Sequence, residues 1–477
     1  MQMPDAGRQD KLYRTECNVA APARCASLTD GKTPDLGRGS VVGGTGISIN
    51  AMRRIDRMVG VPLCFLMTIA LKLLWKFQRR SPRPIKRILF VELSEMGSTI
   101  LADPAMRKAS QKTGAENYFV IFTRNADSLA VTGTIDRRNV FTIRTNSLWH
   151  VAVDAMAFLL WTRRHAIDTV VDFELFSRFT GLLTGLSGAD RRVGFYRFNS
   201  EGLYRGDMLT HRVAYNPHIH IAKNFIALVN ALLTDSPSVP YSKEVIDDGE
   251  ITLSIHPAPA MAQRAALFKI KSLVSVPNAG RLRVVLINPN AGEMLPQRRW
   301  MPGRFVDLAR RILATHDDVL VLITGAPHER EEAEKLAAQC GSNRCVAVAG
   351  SFALPELPAL FSIATLMVTN DSGPAHFAAA SGLPTIVLFG PETPDLYKPL
   401  GNPTVIYAGL ACSPCVSVSN HRKSACTDNI CMKSIGVDQV FSAASAVLTR
   451  YSKPLDLSAA RKGGSAVPSL TVAKAGR

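Results

Sequence analysis

An α/β fold of two doubly wound parallel sheets is predicted by three features of this sequence. Short apolar runs such as residues 87–93 (RILFVEL) and 319–325 (VLVLITG) recur along the chain, each followed by a polar loop and a helix-length segment. Strands buried on both faces read as unbroken apolar runs, and their alternation with helices implies a parallel sheet with helices on either side. The alternation is interrupted at the Pro/Ser stretch 236–243 (SPSVPYSK), and 477 residues give room for two or three domains.

Charge and composition narrow the class. Lys plus Arg number 56 against 39 Asp plus Glu, a net +17, with much of the excess in the first hundred residues and the last twenty-five. No basic helix interleaved with aromatics and no nucleic-acid motif accompanies it, so an anionic membrane surface or a phosphorylated substrate is the expected partner, and nucleic acid is not. Residues 1–51 are rich in small polar residues and arginine without a period that buries a face, and are expected to be a disordered extension. Met52 opens a second natural start, MRRIDRMVG. Residues 52–84 form a basic-flanked apolar segment whose uninterrupted part runs from 58 to 71, with Arg53, Arg54 and Arg57 before it and Lys76, Arg79 and Arg80 after it. A spanning helix needs about 20 apolar residues, so an interfacial or re-entrant anchor on the cytoplasmic side is preferred to a span.

The first globular unit, 85–235, is expected to place strands at 87–93, 118–123, 139–143, 169–173 and 191–195, with helices at 100–112, 148–164, 177–186 and 218–233. A linker region, 236–280, holds one helix at 260–271. The second unit, 281–451, is expected to place strands at 283–290, 319–325, 345–349, 366–369, 384–389 and 404–407, and to close with a helix at 437–451; residues 452–477 read as a disordered basic tail.

Residues 366–391 (LMVTNDSGPAHFAAASGLPTIVLFGP) carry the chemistry. An apolar strand stops at Asn370-Asp371-Ser372-Gly373-Pro374, where each residue favours a turn or a cap, and a small-residue helix follows to Gly382. A helix start at the carboxyl edge of a parallel sheet is a site for phosphate or pyrophosphate. Asp371 would repel that phosphate, so it is expected to bond turn amides or a sugar hydroxyl, while His376, one turn on, donates to a phosphate oxygen. Farther on, Cys412, Cys415, Cys426 and Cys431 have the spacing of a four-thiolate structural zinc site, ahead of free thiols, with His421 as a spare ligand.

Asp371, Ser372, Gly373, His376, Gly382, Pro384, Leu388, Phe389 and Gly390 match the pattern of glycosyltransferase family 9, the heptosyltransferase family, which this chain resembles over roughly 86–451. Leu93, Ser94, Gly97, Pro104 and Ala105 resemble the family's first loop and helix, and 170–195 its acceptor-domain pattern, in which Asp172 and Glu174 face the cleft or cap the next helix. The resemblance implies a GT-B architecture: two Rossmann-like domains facing a cleft, acceptor on the first and nucleotide-sugar donor on the second. It implies that Arg298 or Arg299, ahead of Trp300-Met301-Pro302, contacts the donor diphosphate, and that Glu329, with Glu331 next, binds the ribose. The family's base aspartate is Ser98 here, and a hydroxyl is no base near neutral pH. Glu95 in the same loop is the substitute, with Asp103 behind it.

The expected activity is metal-independent inverting transfer of a sugar, heptose from ADP-heptose being the first candidate, to a membrane-bound glycolipid or polysaccharide at the cytoplasmic face of the inner membrane, with no catalytic cofactor. The alternatives are a nucleotide-sugar-binding pseudoenzyme that lost its base, and a nucleotide-sugar epimerase of the same architecture.

Overall fold

A computed structural model describes residues 49–77, 83–175, 177–199, 202–234, 239–255, 257–274, 281–292, 295–417, 420, 422–451 and 455–456. The expected extension before residue 49, the tail beyond 456 and His421 lie outside the described residues.

Two helices, α1 (Ile49–Met58) and α2 (Gly60–Phe77), precede the first sheet. Gly60, the first residue of α2, packs tightly on the globular part: a Cβ there would sit 2.9 Å from Cβ of Arg178, so no larger residue fits without a shift. The first sheet has strands β1 (Arg87–Val91), β2 (Glu116–Phe122), β3 (Val140–Ile143), β4 (Thr169–Asp172), β5 (Arg191–Phe195) and β6 (His211–Val213), all parallel, in the order β3-β2-β1-β4-β5-β6. Its helices are α3 (Met96–Thr113), α4 (Leu129–Thr132), α5 (Leu148–Arg164), α6 (Arg178–Leu186) and α7 (Ile221–Leu233).

Helix α8 (Ala260–Leu273) leads to the second sheet, β7 (Arg281–Asn288), β8 (Val319–Ile323), β9 (Cys345–Ala347), β10 (Leu366–Asn370), β11 (Thr385–Phe389) and β12 (Thr404–Tyr407), parallel in the order β12-β11-β10-β7-β8-β9. A two-residue strand, β13 (Leu455–Asp456), pairs antiparallel with β7. The helices of this half are α9 (Pro302–Thr315), α10 (Arg330–Cys340), α11 (Leu357–Ile363), α12 (Gly373–Ala380), α13 (Pro394–Tyr397), α14 (Ile430–Lys433) and α15 (Val437–Arg450). In both sheets the first strand lies centrally and the order reverses beside it, which leaves a crevice at the carboxyl ends of β1/β4 and of β7/β10.

The differences from the expected elements have local causes. Helix α3 begins at Met96, earlier than the apolar pattern suggests. The helix expected from residue 218 starts at Ile221, because His220 caps it by accepting the Ala222 N–H at 3.2 Å. The short edge strand β6 carries too little apolar signal to be read in advance.

One buried core runs across both halves, joining Phe90, Phe119 and Phe225 of the first to Ala375, Val387 and Phe389 of the second. The α1–α2 pair is fixed to the first half by polar contacts. The Asp56 carboxylate accepts the N–H groups of Arg178 and Phe179 at 2.9 and 3.0 Å and pairs with the Arg178 guanidinium at 3.0 Å, capping α6 from a distant part of the chain. Along α2, Lys72 pairs with Asp207, and Thr68 accepts the Asp207 N–H at 2.9 Å. Losing a cap destabilises by about 1 kcal/mol. Asp56→Ala is therefore expected to free α1 and α2: limited proteolysis should cut ahead of residue 83 much faster than in the parent, with the rest of the chain still protected.

Candidate active-site cleft

The loop that leaves β1, Leu93-Ser94-Glu95, is held from beneath by Glu174, which follows β4. One Glu174 oxygen accepts the N–H groups of Leu93 and Ser94 at 3.1 and 3.2 Å and the Ser94 hydroxyl at 2.6 Å. Asn125 donates to the carbonyls of the same two residues at 2.9 and 3.0 Å. Asp172 is fully buried, pairs with Arg205 and accepts the Glu174 N–H at 3.0 Å. These two carboxylates thus build the loop; the cap of α6 within its own segment is Ser177, which accepts the Thr180 N–H. Asp103 likewise faces away from the loop, paired with Arg107 at 2.9 Å and bonded by Thr134.

The loop presents Glu95. Its carboxylate accepts the Ser98 hydroxyl at 3.2 Å and pairs with Arg422, which comes from the cysteine-rich loop of the other half. Burial raises the Glu95 carboxyl, but Arg422 and then Arg298 outweigh it and hold it below the usual carboxylate range. Glu95 is therefore ionised at neutral pH.

On the second sheet, Asn370 ties the two crevice loops together: it accepts the Trp300 N–H at 3.0 Å and donates to the Pro289 carbonyl at 2.7 Å. This sets the direction of the two arginines. Arg299 donates twice to the Ala291 carbonyl, at 3.1 and 3.0 Å, and so braces the loop, whereas Arg298 points to Asp371, Nη1 to Oδ2 3.6 Å. Asp371 does not bond the turn amides as expected. Its side chain faces Arg298, and burial raises its carboxyl against the pull of Arg298 and Arg422. Ser372 turns its hydroxyl back to the Asn370 carbonyl at 3.2 Å and leaves the first turn of α12, which opens at Gly373, without a side-chain cap.

His376 is buried one turn into α12, against the first half: a Cβ on Gly97 would lie 2.8 Å from its Cδ2. Burial lowers it to about 3, so the ring is neutral, and among the described residues its Nδ1 has no hydrogen-bond partner. Gly97, matched above as part of a motif, is thus a position where the two crevices pack with no room for a side chain. Glu329 sits one loop over. Its carboxylate accepts the Ala326 N–H at 2.6 Å, and a Cβ on Gly325 would lie 3.0 Å from Glu329 Oε2 and 3.1 Å from Asn290 Nδ2.

The four cysteines share one neighbourhood: burial raises the Cys431 thiol, and Cys415, Cys426 and Cys412 add to that push. Cys415 lies 3.2 Å from the Ser424 hydroxyl, Cys426 donates to the Asp428 carbonyl at 3.1 Å, and Cys431 contacts Asn429 at 3.5 Å. Among the described residues, no three His, Cys, Asp or Glu side chains are gathered around one point. Three of the four sulfurs expected as zinc ligands, Cys415, Cys426 and Cys431, thus take hydrogen bonds within their loop.

What the cysteine-rich loop supplies is Arg422, which sequence reasoning missed. It pairs with Glu95, lies 3.8 Å from Glu392 and sits 4.9 Å from the centroid of the Tyr397 ring. Nothing in the spacing of the cysteines marks this arginine. Glu392, two residues past the Gly390 of the motif, was also missed; burial raises it to about 7, against the pull of Arg422. Glu95, Ser98, Tyr397 and Arg422 line one end of a cavity of about 1080 Å³, whose other walls are α1, the start of α2, and Phe173, Leu148 and Phe179 of the first half.

The raised Glu392 fixes the sign of a pH dependence. Its proton is held more tightly in the fold than in the unfolded chain, so its contribution to stability is full below the ordinary value of 4.5 and is lost as pH rises through about 7. Glu392→Gln should therefore flatten the fall in thermal midpoint between mildly acidic and mildly alkaline buffer, measured by scanning calorimetry.

The family profile described as "Glycosyltransferase family 9 (heptosyltransferase)" matches residues 181–425. Lipopolysaccharide heptosyltransferase 2 of Salmonella typhimurium strain LT2 is 30% identical over 113 residues, 23% of this chain and 32% of that protein. The alignment thus spans about a third of that relative's length. Lipopolysaccharide heptosyltransferase 1 of Escherichia coli K12 is 25% identical over 319 residues, 65% of this chain and 89% of that protein. Among solved structures, a glycosyl transferase family 9 protein from Veillonella parvula superposes with a TM-score of 0.57 at 19% identity, over 78% of this chain and 100% of its own. The E. coli ADP-heptose LPS heptosyltransferase II gives 0.56 at 17% identity, over 76% and 99%. These two likenesses are of fold, α/β with two parallel sheets. With the profile covering more than half of its residues, the chain belongs to glycosyltransferase family 9, the heptosyltransferase family.

Proposed function

We propose that this chain is an inverting glycosyltransferase of GT-B architecture that moves a sugar, heptose from ADP-heptose in the first instance, to a hydroxyl of a membrane glycolipid. The observation that carries the reading is the meeting of the two crevices: Glu95 on the first, and Arg298, Asp371 and His376 on the second, with His376 packed on Gly97. The curated relatives named above are heptosyltransferases, and one solved family structure holds an E. coli heptosyltransferase with ADP-2-deoxy-2-fluoro heptose.

The chemistry follows from the groups in place. The donor diphosphate lies against Arg298 and the uncapped start of α12, where a guanidinium and aligned backbone N–H groups favour negative charge. Neutral His376 offers one ring N–H to a phosphate oxygen, and Glu329 is the candidate for the ribose. The acceptor oxygen attacks the anomeric carbon from the side opposite the diphosphate; the new C–O bond forms as the bond to phosphate oxygen breaks. The acceptor proton passes to Glu95, and the nucleoside diphosphate leaves with its charge met by Arg298. The cavity beside Glu95, walled by α1 and by apolar side chains, is the place for an acceptor that carries both sugar and lipid.

One observation favours a second reading. Glu95 is already engaged by Arg422, and Ser98 stands where the family has its aspartate, an arrangement that suits nucleotide binding without turnover.

Turnover of ADP-heptose with a heptose-deficient glycolipid, followed by mass spectrometry, separates the two. Glu95→Gln should lower kcat about 100-fold or more with donor affinity kept. Donor binding without any transfer by the parent chain would support the second reading, and an unaffected Glu95→Gln enzyme would remove Glu95 as base. Because Arg422 holds the Glu95 carboxyl down, Arg422→Ala should shift the acid limb of the kcat/KM profile to higher pH.

A further inference from the structure

We propose that α2 and α5 together form a docking face for an anionic phospholipid bilayer, with the mouth of the cleft cavity at the lipid surface. The placing of the mouth rests on the acceptor reading above; the docking face rests on the two helices.

A helix on the surface of a soluble domain normally turns charged and polar residues to water. On α5 every exposed residue from Leu148 to Leu160 is apolar, including Trp149 at 75% exposure, Met156 at 63% and Leu160 at 57%. Its acidic residue, Asp154, is turned inward and paired with Arg144 at 2.6 Å. Helix α2 does the same: Cys64 and Leu71 face the protein, while Phe65, Leu66, Ile69 and Leu73 face outward. Both helices pack on α6, and Leu63 of α2 and Leu148 of α5 border the same cavity. The two apolar faces therefore flank one opening. Contiguous exposed apolar area of this kind marks an interaction site.

Charge decides the occupant. Arg54 and Arg57 are exposed on α1, Lys72 and Lys76 on α2, and Arg163 and Arg164 at the end of α5, so the apolar surface is rimmed by cations. An apolar face between basic residues is the arrangement of helices that lie in the plane of an anionic membrane. The pairing of Asp56 with Arg178 and of Lys72 with Asp207 lays α2 along the globular part instead of away from it, which gives an in-plane contact.

The test uses the full chain with vesicles of phosphatidylglycerol and phosphatidylethanolamine, and with phosphatidylcholine alone. The parent should float with the anionic vesicles, and bromine-labelled acyl chains should quench part of its tryptophan emission. Trp149→Phe should keep binding and reduce that quenching. Val153→Glu with Met156→Glu should lower the bound fraction about tenfold while ADP-heptose binding and thermal melting stay unchanged. If that pair fails to fold, Ala157→Glu with Leu160→Glu, which lie outside the cavity wall, replaces it. Vesicle binding unmoved by either pair, Trp149 as open to acrylamide on vesicles as in solution, or a dimer in lipid-free buffer that buries Trp149, would each overturn the proposal. Normal vesicle binding by a chain that binds no nucleotide sugar would count against the transfer reading and leave the docking face standing.

Discussion

The contact between Arg422 and Glu95 is the interaction on which the cleft depends. A guanidinium taken out of water is costly unless opposite charge surrounds it, and the Arg422 side chain is 14% exposed. Glu95 comes from the first half, Glu392 and the Tyr397 ring from the second, and together they hold the cation charged: burial opposes it, but these neighbours raise its pKa well above the ordinary value. The same contact joins the loop after β1 to the cysteine-rich loop, so the two crevices are tied to each other across the cleft. Removing either partner leaves a charge without its counterpart, which explains why a short insert with no chemistry of its own matters to the site.

Around that contact the acids are sorted by environment. Glu95 is kept ionised, whereas burial raises Glu92, Glu174, Asp371 and Glu392. Pairs of carboxyls pushed in opposite directions within one cleft are what acid–base chemistry needs. Here the ionised member sits beside the cavity proposed for the acceptor, and the raised Asp371 stands against the arginine proposed for the diphosphate.

Much of this was legible in the sequence, for physical reasons. Short apolar runs bounded by turn residues, such as 366–369, read as buried strands, and Gly373-Pro374 after Asn370 and Asp371 as a strand-to-helix turn, so the backbone of the second crevice was readable. The choice of Arg298 over Arg299 was not, because it depends on which side chain the Ala291 carbonyl takes. The roles of Asp172 and Glu174 turned on hydrogen bonds to chain segments 33 and 81 residues away in number. Arg422 was invisible for the same reason, since its partner Glu95 is 327 residues distant. The cysteine spacing pointed to a metal and gave no hint that the same loop delivers a cation to the cleft. The apolar face of α5 was hidden in a segment that reads as an ordinary sheet-covering helix until its exposure is seen.

The measurement that tests the central claim most directly is a calorimetric titration of ADP-heptose into the full chain, beside Arg298→Ala and His376→Ala. The account predicts saturable binding by the parent at one site, weakened about tenfold or more by the loss of the Arg298 guanidinium and less by the loss of the neutral imidazole. A folded parent chain that binds no nucleotide sugar, or binding indifferent to both changes, would contradict it.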